Sequence, residues 1–291
     1  MNAYWSDGRG RYGTGESYDY FWMLEDEEAC ELFTSSDGLW TYWLPEDEVD
    51  SMELLRYNGS ETHIQIPAEI DGRKVTSLAC TFDGFYELKS VEIPEGVVSI
   101  EGAFYGCENL EEVRLPKGLE DMSHAFDCCY SLRQIQVPGS VTDFSYAFKE
   151  TALEHFAFPQ GTRVITGAFL GCSSLKQVTI PKTVNMSDEA FSDCEALECV
   201  ELEEGIEKLD DHIFFDCPSL KELKIPVSVK EFGEKSAGMM EVREYDGDED
   251  ALIRAYRIKG YEVVPGFRIV GVQGSAAERY TDEQGIPFTE G

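Results

Sequence analysis

Residues 103–137 read AFYGCENLEEVRLPKGLEDMSHAFDCCYSLRQIQV, and the second half of this stretch rewrites the first. Ala103-Phe104 returns as Ala125-Phe126, Cys107 as Cys129, Leu110 as Leu132, and Val113-Arg-Leu115 as Ile135-Gln-Val137. Followed outward, an apolar-proline step recurs at Ile66-Pro67, Ile93-Pro94, Leu115-Pro116, Val137-Pro138, Phe158-Pro159, Ile180-Pro181 and Ile225-Pro226, while Leu202-Glu203 keeps the register without proline. The first step is 27 residues and the others are 21 to 23. The aromatic landmark continues through Ala147-Phe148, Ala168-Phe169, Ala190-Phe191 and Ile213-Phe214. Behind it run Thr151, Cys172, Cys194 and Cys217, then Leu153, Leu175, Leu197 and Leu220. A fixed period of this length marks a chain built from stacked copies of one small unit.

Each unit reads physically. The alternation in Leu110-Glu-Glu-Val113-Arg-Leu115 is that of a short, half-buried strand, and the proline ends it because it has no N–H for a ladder. A second apolar pair, such as Val98 and Ile100 or Val184 and Met186, is expected to form the opposite wall. Ala-Phe-x-x-Cys then predicts a tight helical turn, with Phe filling the centre and Cys serving as a small buried hydrophobe. No unit closes a core alone, so neighbours must stack about 4.8 Å apart.

On these landmarks residues 54–291 resemble the BspA-like leucine-rich repeats, also called the Treponema pallidum type. The resemblance implies a β-rich leucine-rich-repeat solenoid: right-handed, with repeats of ~22 residues, two short strands and a short helical turn per repeat, and a C-terminal αβ cap. We divide the chain into a flexible segment over 1–20, an N-terminal aromatic cap and hairpin over 21–66, the solenoid over 67–238, and C-terminal cap units over 239–291. Leu54-Leu-Arg-Tyr-Asn58-Gly59 followed by Ile64-Gln-Ile66 looks like the opening hairpin, turned at Asn-Gly. Near the end, Ser275 and Glu278 match a capping box, Gly285 a helix stop, and Pro287 a block to continuation. Residues 248–263 read as a degenerate earlier copy stopped at Gly260.

Charge narrows the partners. The 291 residues carry 57 acidic against 24 basic side chains, a formal charge of −33. Nucleic acid is excluded as a partner, because its affinity rests on Lys and Arg neutralising phosphates; an anionic membrane surface is disfavoured for the same reason. No stretch reaches the ~18–20 apolar residues of a membrane helix, so no membrane insertion is expected. The start shows no basic region followed by an apolar run. As written the chain reads as cytoplasmic, or as surface-exposed or secreted if its native start is missing.

If the strands line one wall, the outward residues follow from the register: His63, Gln65, Glu92, Glu112, Arg114, Gln134, Gln136, His155, Gln177, Thr179, Glu201, Glu222 and Lys224, with Ser90, Ala157 and Cys199 in the same rows. Eight strands would make a ribbon about 34 Å long, enough for a standard interface of about 800 Å² per partner. These thirteen are the candidate partner-binding residues. As a simple solvated sheet face the ribbon would look the same, and it lacks the aromatic anchors typical of hot spots. Trp5, Trp22, Trp40 and Trp43 lie before the repeats, as a second candidate surface or as a hydrophobic cap over the first coil.

Catalytic and metal signals are weak. Gly8-Arg-Gly10-Arg-Tyr-Gly13 fits the dinucleotide glycine pattern but lacks the preceding strand and following helix. Five of the nine cysteines share one repeat register and no Cys-x-x-Cys pair exists, so zinc is not indicated; thiols are expected to be reduced, with Cys199 the exposed one. His124 and His212 hold equivalent places four units apart, too far to share a metal. Asp246-Gly-Asp-Glu-Asp250 lacks the EF-hand spacing. No cofactor is expected. We expect a monomeric, non-catalytic scaffold that binds a protein or glycan. The resemblance adds an adhesin-like bacterial role. An intracellular interaction scaffold is the alternative, and an enzyme built on the N-terminal aromatic segment is a third.

Overall fold

The computed structural model describes residues 31–45, 50–245 and 256–291, with the backbone of a two-stranded pairing of Trp5–Ser6 and Tyr12–Gly13. The expectations for the segment 1–20, the Gly8 to Gly13 pattern, the Trp5 and Trp22 side chains, Cys30 and the acidic loop at 246–250 otherwise lie outside the described residues.

The chain winds as a β-solenoid. Its core is a single file of rings, Phe82, Phe104, Phe126, Phe148, Phe169, Phe191 and Phe214, each 5.3 to 5.8 Å from the next and nearly parallel through most of the file. All are buried. Each phenylalanine belongs to a different coil, so a repeated residue type becomes a continuous stack, in keeping with cores built from nearest-neighbour contacts.

Parallel pairing joins the coils along one wall. His63–Gln65, Ser90–Glu92 and Glu112–Arg114 form one sheet. Gln177–Ile180 pairs with Cys199–Leu202. Glu222–Lys224, Arg268–Gly271 and Phe288–Glu290 form another.

The Ala-Phe-x-x-Cys segment is not the helical turn expected. Its N–H groups alternate between two destinations. Ala103, Tyr105 and Cys107 donate three residues back, to Ile100, Gly102 and Phe104, while Phe104 and Gly106 donate to Ala125 and Asp127 of the next coil. A helix would direct every N–H inward along its own axis; here half of them join neighbouring coils. The alternation needs left-handed backbone two residues before and after each phenylalanine. Glycine fills both places around Phe104 (Gly102 φ 60°, Gly106 φ 68°), but His124 (55°) and Cys128 (62°) do so around Phe126. This conformation is sterically costly for residues with a Cβ, and it is held here by the bonds to both adjoining coils.

Cysteine is more than a filler of small volume. The thiols of Cys107, Cys129, Cys172, Cys194 and Cys217 each lie 3.0–3.2 Å from the carbonyl of the phenylalanine one coil earlier. At Phe82, Phe104, Phe148 and Phe169 the same carbonyl also accepts the N–H three residues on, so the thiol is a weak second donor to it from the next coil. Thr151 departs from this rule and donates to Phe148 of its own coil.

Further expectations are corrected. On the second wall the inward pair is Val97 and Ile100, spaced by three; Val98 and Met186 face solvent, and Ser187 rather than Met186 is buried. Asn58-Gly59 does not turn a hairpin, because Ser51–Tyr57 pairs with Trp40–Trp43 and Arg73–Leu78, whereas His63–Gln65 joins the solenoid wall. Neither Asn58 nor Gly59 has the positive φ that a two-residue hairpin turn demands. Asn58 instead bonds back to Gly38 and Thr41.

The ends of the file are closed. Trp40 packs edge-on against Phe82 at 6.2 Å and beside Tyr57 at 4.9 Å, while Trp43 is half-buried. At the other end helix Ala276–Gln284 brings Tyr280 onto Phe232 (4.5 Å), and its hydroxyl bonds both N and O of Ala237. The helix stops at Gly285 in left-handed conformation. Its capping box is only half made: Glu278 accepts from the backbone N of Gly274, and Ser275 makes no side-chain cap.

Met239–Tyr245 and Tyr256–Val263 form an antiparallel hairpin rather than a repeat copy, and Gly260 lies inside its second strand. The solenoid closes beneath this excursion, since the N–H of Val264 donates to Gly238 O at 2.8 Å.

Candidate functional site

The thirteen strand-wall residues emerge on one surface. Twelve are exposed and Glu222 is half-buried. Their rows are fixed by parallel register: His63 beside Ser90 beside Glu112, Gln65 beside Glu92 beside Arg114, and Thr179 beside Glu201. The inward partners Val91, Val178, Val200 and Leu223 are buried, as strand alternation requires.

Charge is unevenly distributed along this wall. Toward the N-terminal end Glu92 faces Arg114 at 3.9 Å, and toward the C-terminal end Glu222 pairs with Arg268. Between them Gln134, Gln136, His155, Ala157, Gln177 and Thr179 carry no formal charge at neutral His, and the ion pairs of Glu154 with Arg133 (3.4 Å) and Lys176 (3.2 Å) flank them. His63 spends its Nδ1 on Ser90 Oγ (2.7 Å) and Thr179 meets Glu201 (3.3 Å). The side chains of Gln134, Gln136, His155 and Gln177 make no hydrogen bond among the described residues. Cys199 is exposed at the edge of this region.

The wall is also interrupted there. No strand forms over 132–153, and His155 touches its neighbour through one isolated bridge to Gln177. The interruption coincides with a cluster in which Phe144, Phe156 and Phe158 meet at near-perpendicular angles.

A second polar surface lies on the turn wall, which the sequence did not reveal because it is built by backbone conformation. Asp127 is buried and paired with Lys149 at 3.5 Å. Further along, Leu170, Glu189, Ser192, Asp193, His212, Phe215, Glu241 and Tyr261 line a depression of about 240 Å³ beneath the hairpin. Arg243 pins the hairpin there, bonding Asp216 at 2.7 Å, Asp193 at 3.2 Å and Glu241 at 2.7 Å. Burial, reinforced by the neighbouring Asp193, raises the Asp216 carboxyl to about 6 despite Arg243. His124 and His212 occupy matching left-handed positions; His124 stacks on Tyr146 at 4.9 Å and His212 meets Phe215 edge-on at 5.2 Å.

Burial pushes the ladder thiols far toward the neutral form, to about 12 for Cys172 and Cys217. Such thiols are poor nucleophiles. Among the described residues no group of three or more His, Cys, Asp or Glu side chains is placed to hold a metal, and no helix is long and apolar enough to cross a membrane.

Comparison with known proteins agrees with this architecture. The BspA type leucine rich repeat region matches residues 76–185 and 144–245, in six copies. A leucine-rich repeat protein from Bacteroides ovatus superposes with a TM-score of 0.62 at 25% identity, over 67% of this chain and 54% of that one. The T. pallidum leucine rich repeat protein shows 30% identity over 69% of this chain and 86% of its own, with a TM-score of 0.48. This chain therefore spans about half the length of the B. ovatus protein. No curated protein gives a significant match. With its repeat register, its file of phenylalanines and six matched copies, the chain belongs to the BspA-type leucine-rich repeat family.

Proposed function

We propose that this protein is a non-catalytic scaffold that recognises a protein partner across its strand wall. Leucine-rich repeat proteins are in general non-enzymatic scaffolds that bind proteins, and the reading rests on that general role. One observation carries it to this wall: an exposed row of unengaged amide and imidazole side chains, Gln134, Gln136, His155 and Gln177, bordered by charges that are already paired, Glu154 with Arg133 and Lys176. Apposing such a surface to a partner avoids the desolvation of unpaired charge, which is the main penalty in polar interfaces. A protein is favoured over a glycan because the wall offers amides and an imidazole without an exposed aromatic platform; the exposed Tyr86 and Tyr130 stand on the turn wall.

The test places a photo-crosslinking amino acid at Gln136 or Thr179 on the strand wall, at Met186 on the second wall and at Tyr130 on the turn wall. The reading expects a discrete protein adduct from the strand-wall positions alone. Adducts confined to Met186 or Tyr130, or none from any position, would reject it. The adhesin-like form, with a partner on another cell or matrix, and the intracellular form differ in whether protease added to intact source cells removes the protein.

A further inference from the structure

The depression beneath the hairpin is where the fold seats cations of its own. The hairpin brings Glu241 and Tyr261 to it, and the turn wall brings Leu170, Glu189, Asp193 and Phe215. Two cationic side chains converge there. The Arg243 guanidinium lies 2.7–3.2 Å from Asp193, Asp216 and Glu241. The Lys235 ammonium stands 4.3 Å over the Tyr261 ring while it pairs with Glu234. These cations do not balance the site. Arg243 serves three carboxylates at once, and Lys235 is committed to Glu234. Glu189 has no hydrogen bond or ion pair among the described residues, and Glu241 meets Arg243 through Oε2 alone. The surplus shows at Asp216. Burial, with Asp193 and then Glu241 adding to it, holds that carboxyl near 6 although Arg243 bonds it at 2.7 Å. Apolar faces adjoin the unspent charge: the Phe215 and Tyr261 rings meet edge-on at 5.9 Å, and Leu170 lies beside them. Ring faces attract a cation through their quadrupole, and a carboxylate holds an N–H donor by a charge-assisted bond.

We infer that this depression binds a small protonated alkylamine. Its ammonium is held by Glu189 and Glu241, and its alkyl body lies against Leu170, Phe215 and Tyr261. Size supports a small occupant: about 240 Å³ falls below the ~300–1,000 Å³ of pockets for drug-sized ligands. Charge selects its sign, because a chain of net −33 draws cations and repels anions. A bare inorganic cation would leave the ring faces unused. Among the described residues no group of three or more His, Cys, Asp or Glu is placed to chelate one. The site stands on the turn wall, apart from the strand wall, so it holds or fails independently of the partner surface proposed above.

Two measurements on the full chain test this. In the first, n-butylammonium chloride is titrated into the isotope-labelled protein while the amide resonances of Ser192, Phe215 and Tyr261 are followed. Equal concentrations of n-butanol and of sodium chloride serve as controls. Saturable shifts are expected from butylammonium alone. Glu189→Gln and Tyr261→Ala should each weaken binding at least about fivefold, whereas Tyr261→Phe keeps the ring face and the parent affinity. The second measurement is potentiometric. A cation bound beside Asp216 favours its carboxylate, so binding at about pH 6 should release protons that binding at about pH 8 does not. The groups facing Asp216 are Asp193 of the preceding coil and Glu241 and Arg243 of the hairpin, with His212 on its own coil lining the depression. The release should vanish in Asp216→Asn, with binding retained, and persist in His212→Asn. Shifts reproduced by sodium chloride, or failing to saturate, would reveal only screening of an acidic surface and overturn the site. Binding indifferent to both Glu189→Gln and Tyr261→Ala, or binding at about pH 6 without proton release, would overturn it as well.

Discussion

Replacing Phe169 by alanine removes a ring of the central file that meets its two file neighbours and both Phe156 and Phe158. Phe169 is fully buried, 5.4 Å from both Phe148 and Phe191, with Phe156 at 5.0 Å and Phe158 at 5.8 Å. Phenylalanine-to-alanine changes in a core cost about 3–5 kcal/mol through lost transfer energy and the residual cavity. Each aromatic pair adds about 0.5–1.5 kcal/mol beyond area. Bonds of the backbone hold the neighbouring coils at fixed spacing, so collapse into the hole is restricted and the upper half of the range, about 4–5 kcal/mol, is expected. Since each coil is stabilised only by its neighbours, the lesion should also divide the stack, broadening the transition and lowering the denaturant slope. Urea unfolding followed by circular dichroism measures both, with Met186→Ala on the exposed second wall as a control expected within about 0.5 kcal/mol of the parent. A Phe169→Ala loss below about 1 kcal/mol with an unchanged slope would refute the register and the stacked core together.

Other consequences are equally direct. Native protein treated with N-ethylmaleimide at neutral pH should label Cys199 while Cys107, Cys129, Cys172, Cys194 and Cys217 react only after unfolding; mass spectrometry of the peptides gives the answer. Gly167 sits at φ 57° with the Tyr146 ring 2.3 Å from where a Cβ would lie, so Gly167→Ala should cost more than about 1 kcal/mol, measured by the same melts. Asp216 holds its proton more tightly when folded (about 6) than its ordinary 3.8, so its contribution is fully present below that ordinary value and is lost as pH rises through about 6. The melting temperature of the parent should therefore fall relative to Asp216→Asn across that interval. The effect should be no more than about 1 kcal/mol, because the carboxylate is partly solvated and paired with Arg243. A difference between the two that is flat with pH would contradict the raised value.

The legible part of the fold is the part written in side chains that point inward. Phe, Cys and Leu recur because each sits at the same place in every coil, and the two-residue alternation at Val113-Arg-Leu115 gives the outward residues directly. What escaped reading is set by backbone and tertiary pairing. The alternating hydrogen bonds around Phe104 leave no residue pattern, since Gly102 and Gly106 are replaced by His124 and Cys128 one coil later. Asn58-Gly59 carries a strong local turn signal that long-range pairing of Ser51–Tyr57 overrides. Phe156 and Phe158 look like ordinary apolar strand residues, and only their crossed packing reveals the break in the wall. The alternating residues of Tyr256–Val263 resemble a repeat strand in sequence, and only their antiparallel pairing with Met239–Tyr245 shows a hairpin.

The most direct test of the recognition surface is hydrogen exchange on the full chain, with and without the purified cross-linked partner. Strand-wall recognition predicts that the amides of Glu112–Arg114, residues 134–136 and 155–157, and Gln177–Ile180 become protected together while those of the turn wall around Tyr86 and Tyr130 stay unchanged. Protection confined to the turn wall or to the hairpin would contradict it.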